Sequence, residues 1–100
     1  MTMASEADVP TQIRERLARL DPAVVELYDE SGEHVGHEGA RDGGGHYRLL
    51  IVSRRFEGEP AIARHRLVYQ ALADLMQRKI HALAIAAHTP EELETAFPAH

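Results

Sequence analysis

The run His46-Tyr-Arg-Leu-Leu-Ile-Val-Ser53 constrains this chain most, because apolar side chains occupy both alternating sets of positions. A strand of that kind belongs at the centre of a sheet, with neighbours on either side. Two segments can supply them. Ala23 to Asp29 alternates partly and is rich in Val, Leu and Tyr, and Ala82 to Ala87 alternates small alanines with Leu83 and Ile85.

The intervening segments read as helices. Val9, Ile13, Leu17 and Leu20 recur at helical spacing, with Asp8 placed to cap the start and Asp21-Pro22 to close the end. Phe56-Glu-Gly-Glu-Pro60 punctuates the chain, and Pro60 suits a first helical turn. From Ala61 to Lys79 the spacing predicts one main helix, with Ala61, His65, Val68, Leu72, Leu75 and Met76 on its inward stripe. Thr89-Pro-Glu-Glu92 has the pattern of a capping box opening a short terminal helix. The length of 100 residues suits one domain. Its expected span is residues 9–97, after a flexible N-terminus over residues 1–8.

A strand-helix-strand connection within one sheet is right-handed and makes the second and third strands parallel. The first two, joined by a loop, run antiparallel most simply. The expected fold is thus α/β in the α+β sense, in the order αββαβ, with a three-stranded mixed sheet, helices packed on one face and a short C-terminal helix.

Between the first two strands, residues 30–45 gather six glycines and no apolar periodicity. A loop of that length in a small domain is commonly functional or disordered. It carries His34 and His37, with His46 just beyond it. The topology brings this loop, the start of the second strand at His46 and the start of the third at His81 to one end of the sheet. Imidazole suits iron, zinc and copper, so the corner is a candidate metal site. On residue types alone two other readings stay open: hydrogen-bonded structural histidines, and a zinc site of four nitrogens from His34, His37, His46 and His81.

Composition narrows the function. Cysteine is absent, which excludes disulfides, thiol nucleophiles and any self-contained thiolate cage, so a sulfur ligand must come from a partner. The formal charge of −5 argues against coating nucleic acid through bulk charge. No apolar stretch approaches the ~20 residues that cross a bilayer, and Met1 to Asp8 lack the pattern of a secretory signal. No membrane partner is therefore expected, and a cytoplasmic location is.

Asp29-Glu-Ser-Gly-Glu-His34, Phe56-Glu-Gly58, Arg64-His-Arg-Leu-Val-Tyr69 and His81-Ala-Leu-Ala-Ile85 occur in an order and spacing that closely resembles the BolA family. The resemblance covers nearly the whole chain, from the first helix to Thr89-Pro90, and makes the domain BolA-like. It implies a fold similar to the class II KH domain. It also implies pairing with a monothiol glutaredoxin, and a [2Fe-2S] cluster shared with that partner and its bound glutathione. His81 then matches the family's C-terminal ligand and His34 its loop ligand, with His37 and His46 as rivals for the loop position. Alone, such a chain is expected as a monomer or homodimer.

The resemblance implies DNA as a second partner. Arg54, Arg55, Arg64 and Arg66 gather around the turn before the main helix, where a helix N-terminus and positive charge can bind phosphate. Against this, a KH-type reader clamps the backbone with a GXXG loop, and here the turn reads Gly58-Glu-Pro-Ala61. His65, on the inward stripe, is expected as a buried packing residue. Asp29, Glu30, Ser31 and His34 offer acid-base groups, yet nothing orders them into a nucleophile, base and orienting group, so no enzyme is expected.

Overall fold

A computed structural model describes residues 8–30 and 45–96. The described elements are α1 (Val9–Leu17), β1 (Val24–Asp29), β2 (Gly45–Val52), α2 (Ala61–Ala71), α3 (Ala73–Met76), β3 (Ile80–His88) and α4 (Pro90–Ala96), with 3-10 turns at Ala18–Leu20 and Arg54–Phe56. The expected αββαβ order holds. The sheet runs β1-β2-β3, with β1 antiparallel and β3 parallel to the central β2.

Capping sets the first helix. Asp8 accepts the Thr11 amide at 2.9 Å, satisfying one of the donors that a helix start leaves without a partner. Ile13 and Leu17 are then buried on one stripe, Leu20 follows in the 3-10 turn, and Asp21 ends the segment at a φ of 49°. Left-handed backbone is tolerated by Asp better than by most side chains.

Tyr47, Leu49 and Ile51 of β2 point to the helical side and form the middle of the core with Phe56, Val68, Leu72, Leu75 and Ile80. Val25 and Leu27 of β1, and Leu83 and Ile85 of β3, pack against its margin. The opposite face of β2 departs from a doubly buried strand. Val52 is buried there, but Arg48 is exposed and Leu50 only half-buried. Leu50 pairs with Glu26 on one side and Ala86 on the other. Sequence correctly made β2 central, while the apolar residues on its second face reflect local cover rather than a second helical layer.

The main helix departs from the expected one in three respects. Leu72 leaves helical geometry, with φ −103° and ψ 14°, and separates α2 from α3. Asp74, just past the break, accepts backbone amides of its own turn and binds Arg16 of α1 at 2.9 Å. The restart of the helix is thus tied to α1. The inward stripe is Val68, Ala71, Leu72 and Leu75, whereas Ala61 is exposed and His65 half-buried. Pro60 stands one residue before the helix, at its cap position, rather than inside its first turn.

The terminal helix opens as expected. The Glu92 amide donates to Thr89 Oγ1 and the Thr89 amide to Glu92 Oε1, both at 3.1 Å. This is the reciprocal capping box.

Candidate metal-binding corner

His46 lies one residue into β2 and His81 one residue into β3. Their rings approach with centroids 5.1 Å apart and planes tilted by 33°. Parallel pairing brings the two strand starts side by side, and an irregularity sharpens the approach. Gly45 pairs with Ile80 but His46 with Ala82, so His81 is the extra residue of a bulge. Bulges re-aim side chains at strand ends. Ile80 is buried and anchors the bulge from below, while His81 itself is exposed and His46 half-buried.

The described residues on either side of positions 31–44 are held at this corner by backbone bonds. Where the described chain leaves β1, the Glu30 amide donates to the His46 carbonyl at 2.8 Å. Where it returns, the Gly45 amide donates to the Lys79 carbonyl at 2.9 Å. The Glu30 carboxylate is engaged by Arg48 at 2.8 Å. His34 and His37 lie outside the described residues, as does Ser31. Of the four histidines singled out in the sequence, His46 and His81 are therefore the pair whose meeting is visible.

Two imidazoles at this spacing can supply nitrogen ligands to one metal centre. Among the described residues no group of three or more His, Cys, Asp or Glu side chains gathers to hold a metal. The described corner alone is half of a four-coordinate shell at most.

The four arginines do not make one patch. Arg64 is committed: its guanidinium binds Glu92 in a two-pronged pair at 2.7 and 2.8 Å, and donates to the carbonyls of Glu59 and Ala87. Arg54 and Arg55 are exposed and border a depression with Asp21 and Pro90. Arg66 instead flanks a shallow depression on the outer side of α2, beside Ile62, His65 and Tyr69. Beside Gly58 the surface is acidic, lined by Glu57, Glu91 and Glu92. That is unfavourable ground for a phosphate backbone.

Sequence reading missed the Arg64–Glu92 lock, because its partners are 28 residues apart. It also missed the outer face of α2, where Ile62 is 68% and Tyr69 41% exposed. A second stripe, Ile62, Arg66, Tyr69 and Ala73, was the available signal.

A three-stranded mixed sheet with helices packed against it, and a pair of histidines meeting at one end, defines a small α+β domain. The chain belongs to the BolA family: the family model described as BolA-like protein matches residues 17–92. It is 44% identical over 87 residues to BolA-like protein 1 of Homo sapiens, covering 87% of this chain and 59% of that protein. It is 37% identical over 87 residues to the DNA-binding transcriptional regulator BolA of Escherichia coli, covering 82% of this chain and 80% of that protein. BolA1 from Arabidopsis thaliana superposes with a TM-score of 0.74 at 36% identity, covering 86% of this chain and 96% of that one. This chain thus spans less than two thirds of the human relative's length. The names of these relatives are not those of enzymes. No described helix is long and apolar enough to cross a membrane.

Proposed function

We propose that this protein binds a [2Fe-2S] cluster jointly with a monothiol glutaredoxin, in cluster trafficking or sensing. The observation that carries the reading is the 5.1 Å approach of His46 and His81 at the mouth of the loop that bears His34 and His37. Two described nitrogens and no cysteine suit a site completed from outside, with glutaredoxin and its glutathione supplying thiolates. His81 is the strand-held ligand, and His34 the loop ligand, with His37 and His46 as alternatives. Histidine in place of thiolate raises the potential of such a cluster and makes its binding sensitive to protons.

The test is an anaerobic titration of this protein into cluster-loaded, glutathione-bound glutaredoxin, followed by visible circular dichroism and size exclusion. A new spectrum saturating at a one-to-one complex is expected, and His81→Ala should abolish it. Single alanine variants at His34, His37 and His46 then identify the second ligand. An unchanged spectrum with wild-type protein overturns the reading.

A second reading is DNA binding, favoured by the printed name of the Escherichia coli relative. On this chain it would rest on Arg54, Arg55 and Arg66, since Arg64 already holds Glu92.

A further inference from the structure

We infer that the helix-free face of the sheet is the docking surface for the thiolate-donating partner, with Ala84 inside its footprint; this rests on the cluster-sharing reading above. Side-chain direction carries the inference. Tyr47, Leu49 and Ile51 of β2 enter the core, so His46, Arg48 and Leu50 rise from the opposite face. Residues paired directly across a ladder share a face, which adds Glu26 and Tyr28 of β1 and Ala82, Ala84 and Ala86 of β3. The bulge brings the His81 ring to 5.1 Å from that of His46, at the end of this face.

The other face is closed by Ile13, Leu17, Val68, Leu72 and Leu75, all buried. A ligand that comes from another protein therefore reaches His46 from the helix-free side. With no cysteine in the chain, every thiolate of a shared cluster has to arrive that way. The protein that carries it must then lie over the residues that adjoin the two histidines.

Those residues suit a protein occupant. A sheet face left to water ordinarily carries polar side chains. Here β3 exposes Ala82, Ala84 and Ala86, although alanine is depleted in strands, and Leu50 beside them is only half-buried. The alanines add little relief, so a partner's surface can come close to His46. Tyr28 and Arg48 stand opposite each other on the same face, and both residue types are enriched at the centres of interfaces. Their polar groups already have local partners: the Tyr28 hydroxyl donates to Glu26 at 2.9 Å, and Arg48 binds Glu30 at 2.8 Å. Among the described residues the exposed large hydrophobics are Tyr28, Ile62 and Tyr69. Ile62 and Tyr69 lie on the outer side of α2, beyond the helical layer, where a partner could not deliver a ligand to His46. Tyr28 is the one that shares its face.

Ala84 lies about 7 Å along β3 from Ala82, outside the ligand shell but within the footprint of a docked protein. In the titration with cluster-loaded, glutathione-bound glutaredoxin, Ala84→Arg should raise the half-saturating concentration at least about tenfold. Tyr28→Ala, on the other edge strand, should raise it about threefold. Ile62→Arg, on the outer side of α2, should leave it unchanged. All three sites are exposed, so the urea midpoints of the variants should stay near that of the parent. Half-saturation of both Ala84→Arg and Tyr28→Ala at the parent's concentration, or weakening by Ile62→Arg alone, would overturn the docking face and leave the cluster reading standing. A parent chain that gives no new spectrum overturns both.

Discussion

The guanidinium of Arg64 ties together the turn before α2, the end of β3 and the start of α4, through Glu59, Ala87 and Glu92. Glu92 responds in its protonation: the Arg64 guanidinium first, and the Thr89 amide second, hold its carboxyl down at about 2, against an ordinary 4.5. A carboxylate depressed in the folded state contributes stability that is present above its unfolded value and lost as pH falls toward its folded one. The Arg64–Glu92 contribution is therefore expected in full above about pH 4.5 and gone near pH 2. Asp74, held low by Arg16, and Asp8, held low by Thr11, act in the same direction. Urea titrations at about pH 6 and about pH 3 should show a smaller loss for Glu92→Gln than for the parent chain. An equal loss would mean that the lock does not govern acid sensitivity. The capping half of this cluster was legible in Thr89-Pro-Glu-Glu92, since its partners are three apart. Arg64 was not, because nothing local distinguishes an arginine that will fold back onto a strand end from one left in solvent.

At the level of elements, β2, β3 and the capped ends of α1 and α4 were readable from periodicity. The division of the main helix was not. No proline or glycine marks Leu72, and the break accompanies a tertiary tie between Asp74 and Arg16. Leu72 is fully buried all the same. Leu72→Ala should cost about 2–5 kcal/mol in urea unfolding, the range for a large-to-small core change. His81→Ala should leave the unfolding midpoint near that of the parent, because the exposed ring contributes little core area. That contrast separates a ligand from a packing residue. His65 illustrates the limit of a stripe assigned by spacing alone: a rotation of the inward face toward Val68 and Ala71 leaves it at the margin of an outer depression.

For the whole molecule, the uneven placement of charge bears on the DNA reading. The net charge is −5, the depression beside Gly58 is lined by three glutamates, and Arg54, Arg55 and Arg66 remain as exposed cations. DNA binding through them should fall steeply with salt, and the salt slope should shrink by about one for each arginine removed that contacts a phosphate. Fluorescence anisotropy with Arg54→Ala, Arg55→Ala and Arg66→Ala measures this, with His81→Ala as the variant expected to bind unchanged. Salt-independent binding, or loss on His81→Ala alone, would rule out this surface.

Sequence by itself determined the order of elements, the central place of β2, the parallel pairing of β3 and hence the end of the sheet at which His46 and His81 meet. These follow from alternation, helical spacing and the handedness of a crossover, all of which are written into short stretches of chain. Tertiary structure alone decided the bulge that aims His81, the backbone bonds that hold Glu30 and Gly45 at the same corner, and the withdrawal of Arg64 from the arginine group. Each of these depends on backbone hydrogen bonds or ion pairs between distant residues, whose distances are set only when the core has closed.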